Sequence, residues 1–190
     1  MGRMGEEGNE LDPGRIPAPE PSLAQGNGPV HDGRGWIIST KDRKKVSEIV
    51  GNYTLRKKDL GVYLTTSQPH NKVIIWLTKE GISVESLFFL DMTGSGKDAT
   101  ENLFSLRDPS DFTELSVVIT EIMENEGINF MVIDGISGLE TYSGADNVRK
   151  FLHALVSYFK KLNKTLILAY GTGEDKALSD FAVQISDVRL

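Results

Sequence analysis

Asn129-Phe130-Met131-Val132-Ile133-Asp134 is an apolar run that ends on a carboxylate, and Gly135-Ile136-Ser137-Gly138 follows it as an exit loop. A short continuous apolar run closed by a turn signal is the pattern of a strand buried on both faces. Downstream, Val148, Phe151, Leu152, Leu155, Phe159 and Leu162 recur at helical spacing and predict a long helix from about residue 144 to 162. Thr165 to Tyr170 is again a buried strand. Strand, helix and strand in this order make a βαβ unit, which needs a parallel neighbour for its second strand.

The same alternation extends in both directions. Gly61 to Thr66 reads as a strand, Pro69 opens a helix that runs to Gly81, and Ser86 to Asp91 reads as the next strand. A polar loop from Met92 to about Pro109 follows, with room for a short strand near Leu103 to Leu106. Asp111 and Glu114 form an acidic helix opening, after which Phe112, Leu115, Val118, Ile119, Ile122 and Met123 mark one face up to Gly127. A helix over Glu174 to Phe181 and a strand over Ala182 to Leu190 complete the pattern. The expected fold is α/β: a three-layer sandwich with a mostly parallel central sheet and helices on both faces.

Composition bounds the rest. Residues 1–40 hold 5 of the 7 prolines and 8 of the 19 glycines, with Trp36 as their only aromatic, and read as a disordered tail. Residues 41–60 read as a basic amphipathic helix and linker, because Val46, Ile49, Val50 and Tyr53 fall at helical spacing among Lys41, Arg43, Lys44, Lys45, Arg56, Lys57 and Lys58. Residues 61–190 form the α/β domain. The net charge of -6 argues against a dominant nucleic-acid surface, and the absence of cysteine excludes disulfides, thiolate metal sites and cysteine nucleophiles. No apolar run reaches the roughly 20 residues that span a bilayer, so the expected location is the cytoplasm, with no membrane partner.

Ligands of an open parallel sheet bind at the carboxyl ends of its strands, so Thr65, Thr66, Ser67, Asp91, Asp134, Gly135, Ser137, Tyr170 and Gly171 should cluster. Gly94-Ser95-Gly96-Lys97-Asp98 invites comparison with the phosphate loop G-x-x-x-x-G-K-[ST], but Asp91 stands where its first glycine belongs and Asp98 where its hydroxyl belongs. Asp134 sits where ATPases place the acid that orients magnesium, although any buried strand can end on a capping aspartate. His31, His70 and His153 make no metal-ligand spacing, and Ser137 lacks a nucleophile elbow and a histidine base.

Asp108 to Leu115, Phe130 to Leu139 and Val148 to His153 together give residues 61–190 a resemblance to degenerate RecA-like domains. These belong to archaeal proteins described as RecA-superfamily ATPases implicated in signal transduction, relatives of the clock ATPase KaiC. The resemblance implies a RecA-like fold in which Asp134 is a vestigial Walker-B-like acid. In active relatives a phosphate loop follows the first core strand, whereas Gly61 to His70 here has neither its glycines nor its lysine.

The expectation is therefore a pseudo-ATPase with no catalytic residue, metal or cofactor, acting as a regulatory or scaffolding module. It would bind a protein partner or a second copy of itself through the RecA-like domain. The alternative is an ATPase or sensor holding ATP and magnesium through Gly94, Gly96, Lys97 and Asp134. A weaker alternative is nucleic-acid or other anionic-partner binding through Lys41, Arg43, Lys44, Lys45, Arg56, Lys57 and Lys58.

Overall fold

The computed structural model describes residues 35–55, 59–94, 102–106, 108–124, 127–171 and 176–190. Their elements in chain order are β1 (Ile37–Thr40), α1 (Arg43–Thr54), β2 (Leu60–Thr65), α2 (His70–Lys79), β3 (Leu87–Asp91), β4 (Leu103–Ser105), α3 (Phe112–Met123), β5 (Ile128–Asp134), α4 (Ile136–Ser143), α5 (Ala145–Leu162), β6 (Thr165–Ala169), α6 (Lys176–Ile185) and β7 (Val188–Arg189). The strands form one parallel sheet in the order β4-β3-β2-β5-β6-β1-β7.

Alternation along each strand divides the core. Ile38, Tyr63, Phe89, Phe130, Val132 and Ile167 point to the face covered by α1 and α2, while Ile37, Val62, Leu64, Leu90, Met131, Ile133 and Leu168 point to the face covered by α3 to α6. This is the three-layer RecA-like arrangement. The central strands are apolar on both sides because both faces are covered. At the amino end of β2, Gly61 is required by packing: a Cβ there would lie 2.1 Å from the ring of Phe130. The Phe130 ring in turn stacks on Tyr53 of α1 with centroids 4.6 Å apart, which docks the basic helix onto the sheet.

The structure moves the start of the folded unit. Residues 35–40, grouped with the tail by composition, enter the sheet, and Ile37 and Ile38 are fully buried between α1 and α5. Burial of two such side chains is worth about 1.5–3 kcal/mol each, enough to fix a four-residue strand. Backbone bonds join Trp36 O to Leu166 N at 2.8 Å and Thr40 O to Tyr170 N at 3.0 Å. On the other side, Asp187 N donates to Ile37 O at 2.8 Å while its carboxylate accepts from Ile37 N at 3.0 Å.

Two further expectations change. The exit loop Gly135–Gly138 is the opening of a separate helix, α4, with Gly135 at φ 90° as its cap. Residues 182–185 continue α6 rather than beginning a strand, and only Val188 and Arg189 pair with β1. Among the described residues no helix is long and apolar enough to cross a membrane.

Candidate functional site

Chain order along the sheet reverses between β2 and β5: from β2 the chain moves outward to β3 and β4, then returns to β5 on the other side of β2. The helices leaving β2 and β5 lie on opposite faces, so the carboxyl ends of these strands flank the crevice where open α/β sheets bind ligands. Register puts Thr65 level with both Asp91 and Asp134, and Asp134 level with Ala169. Of the residues expected at this edge, Thr65, Thr66, Ser67, Asp91, Asp134 and Gly135 lie together here, while Tyr170 and Gly171 line a separate hollow.

In the crevice the side chains of Thr65, Thr66, Asp91 and Asp134 are each tied to another group of the chain. Thr66 bonds through Oγ1 to the carbonyls of Asp134, at 3.1 Å, and Gly135. The approach is so close that a Cβ on Gly138 would stand 2.1 Å from Thr66 Oγ1, which is why glycine occupies the first turn of α4. Thr65 Oγ1 donates to Gln68 O at 2.6 Å and tightens the turn from β2 into α2.

The Asp134 carboxylate accepts from the Tyr63 hydroxyl at 2.8 Å and faces the Arg43 guanidinium at 3.5 Å. Burial, and then the negative charge of Asp134 beside it, hold the Tyr63 phenol well above its ordinary pKa, so it stays a donor. Arg43 is held from two more sides. Its guanidinium lies over the Trp76 ring at 4.2 Å, and the Gln68 amide oxygen, turned toward it, accepts from Nη1 at 3.0 Å.

Asp91 is the second carboxylate of the crevice, and its side chain is fully buried. It accepts from His70 N and His70 Nδ1, both at 2.9 Å, and from Thr93 N at 2.8 Å and Oγ1 at 2.6 Å. Burial pushes its carboxyl pKa up, but the donors from Thr93 and His70 outweigh that and hold it below the usual value. Asp91 thereby caps α2, whose own N-cap residue Pro69 supplies no side-chain bond. The N-terminus of α1 is taken too, since Asp42 accepts from Lys44 N at 2.8 Å.

The first strand of the sheet in chain order is β1, not Gly61–Thr66, and Lys41 and Asp42 link it to α1. That two-residue link also lacks glycine. Gly94 is exposed with φ 70° just beyond β3, while Gly96, Lys97 and Asp98 lie outside the described residues. Of the basic segment, Arg43 turns into the crevice and Lys45 pairs with Glu48 at 2.8 Å; Lys44 borders a groove between α1 and the end of α2. Arg56, Lys57 and Lys58 lie outside the described residues. Among the described residues no cluster of three or more His, Cys, Asp or Glu side chains could hold a metal. Tyr63 and Arg43 were not anticipated as partners of Asp134. The signal available was Tyr63 itself, since a tyrosine inside a buried strand needs a partner for its hydroxyl.

The family model "ATPase: KaiC" matches residues 53–186. No curated protein matches the chain. The uncharacterized protein PH0321 from Pyrococcus horikoshii, solved in complex with an unknown peptide, superposes with a TM-score of 0.61 at 18% identity, covering 82% of this chain and 77% of that one. KaiC-like protein PH0186 from Pyrococcus horikoshii superposes with a TM-score of 0.57 at 14% identity over 82% of this chain and 71% of its own. At these identities the two neighbours speak to the fold alone. The family match spans most of the chain, and the chain belongs to the KaiC ATPase family.

Proposed function

We propose that the chain is a non-catalytic KaiC-like module, a pseudo-ATPase that binds other protein chains instead of turning over nucleotide. The observation that carries this reading is the state of Asp134: its carboxylate is covered by the Tyr63 hydroxyl and the Arg43 guanidinium. An acid that orients magnesium and water must be open toward them. Both helix N-termini that leave the sheet on that side, α1 and α2, already carry a capping carboxylate, Asp42 and Asp91. A triphosphate entering here would meet fixed carboxylates where it needs unpaired N–H groups.

The reading keeps the fold and transfers its use to surfaces. The peptide in the PH0321 complex supports a search for polypeptide partners, which include a second copy of this chain, and a role in archaeal-type signal transduction follows from the family resemblance. The test is calorimetric titration of ATP and of ADP, each with magnesium, into the full chain. No heat of binding is expected at millimolar nucleotide. Micromolar binding that disappears in Asp134→Ala would overturn the proposal and restore the ATPase reading.

A further inference from the structure

We infer that the pocket at the carboxyl ends of β1, β6 and β7 is a receptor for an acidic peptide segment of a partner protein, an inference that rests on the protein-binding reading above. The pocket is a solvent-open hollow of about 390 Å³ that lies on the same sheet edge as the crevice but beyond β6. Lys41 from the end of β1, Lys176 from the first turn of α6 and Arg189 from β7 line it together. Tyr170 and Val183 supply apolar wall, and Asp180 is the one carboxylate among its described lining residues.

The cations are unspent. Among the described residues the side chains of Lys41, Lys176 and Arg189 make no ion pair or hydrogen bond, as is also true of Lys44, Lys72, Lys79, Lys150 and Lys161, but these three border one hollow. An anionic ligand seated in the hollow would meet cations from three elements at once. The chain as a whole carries -6, whereas the described residues around this hollow carry three cations against one carboxylate.

Asp180 selects the kind of anion. A compact phosphate offers almost only acceptors, and a carboxylate in the wall opposes it. An acidic peptide brings carboxylates for the cations and also backbone N–H donors for Asp180, and its aliphatic stems can lie on Tyr170 and Val183. The same mixture of signs argues against nucleic acid, whose backbone presents phosphates alone.

The experiment is fluorescence anisotropy of a fluorescein-labelled hexaglutamate peptide with the full chain, repeated with Lys41→Glu/Lys176→Glu and Asp180→Ala, and with unlabelled tripolyphosphate as competitor. Circular dichroism checks that each variant is folded. Saturable binding should weaken at least about tenfold in the double reversal and fall with added salt. Asp180→Ala should weaken the peptide while tightening tripolyphosphate. No saturable binding, binding indifferent to the double reversal, or tightening of both ligands by Asp180→Ala overturns the inference, the last by exposing a general anion site. Its failure is distinct from that of the proposed function: a silent peptide with silent ATP removes the receptor and leaves the pseudo-ATPase, whereas micromolar ATP binding lost in Asp134→Ala removes the latter.

Discussion

Two halves of one sheet edge differ in how their charges are used. At the carboxyl ends of β2, β3 and β5, each carboxylate has a donor from another element: Asp134 has Tyr63 and Arg43, and Asp91 has His70 and Thr93. At the ends of β1, β6 and β7, Lys41, Lys176 and Arg189 surround a hollow with no carboxylate bonded to any of them among the described residues. Charges that are matched inside the chain stabilise the fold, and charges left unmatched at a concave surface are available to a ligand. In this member of an ATPase family the first condition holds around Asp134 and Asp91. The second holds one crevice away.

The contrast breaks if the crevice residues can be removed without loss of stability. The largest effect is expected for Asp91→Ala, which leaves buried donors of His70 and Thr93 without an acceptor and should cost about 3 kcal/mol in urea unfolding at pH 7. Its titration gives an independent check. The folded pKa of Asp91 lies below its unfolded value near 3.9, so the ionised group contributes stability above about pH 4 and loses it as the pH falls through the folded value. Asp91→Asn should flatten that acid limb relative to the wild type. An unchanged limb would show that the carboxylate is not held as described.

A smaller loss, about 2 kcal/mol, is expected for Gly138→Ala, because the new methyl has no room beside Thr66 Oγ1 and either α4 or the β2 turn must move. Tyr63→Phe should cost about 1 kcal/mol, since it removes a single hydrogen bond to Asp134 while Arg43 remains. The same variant sharpens the functional side of the comparison. If the covered Asp134 is what excludes magnesium nucleotide, combining Tyr63→Phe with Arg43→Met should uncover it. Weak ATP binding gained by the double variant in calorimetry would show that the cover is the block. Continued silence would place the block at the helix N-termini held by Asp42 and Asp91.

What could be read in the sequence follows from how local each signal is. β2, β5, β6 and α5 carry their own periodicity, so Val132 or Phe151 declares its environment within a few positions. β1 does not. Its four residues adjoin a stretch rich in glycine and proline, and what holds them, Leu166, Tyr170 and Asp187, arrives more than a hundred residues later. α4 was obscured for a related reason: Gly135 and Gly138 look like a loop, yet one is a left-handed helix cap and the other is small to admit Thr66. Asp134 was legible as an acid at a strand end. Its engagement with Arg43 was not, because Arg43 belongs by pattern to a solvated basic face, and only the docking of α1 turns it inward over Trp76. The cationic pocket was invisible for want of any motif, since each of its cations stands alone in its own segment.

The smallest expected effect bears most directly on the open half. Lys41→Ala and Lys176→Ala should each change unfolding free energy by no more than about 0.5 kcal/mol, because both side chains are exposed and neither has a partner to lose. A loss above about 1 kcal/mol in urea unfolding would mean that the two lysines hold β1 and α6 in place. The open half would then be structural like the crevice, and the distinction between matched and available charge would vanish. Retained stability together with lost affinity for hexaglutamate is the combination that only a binding surface produces, because a scaffold residue cannot be removed from the fold at no cost and still govern the ligand.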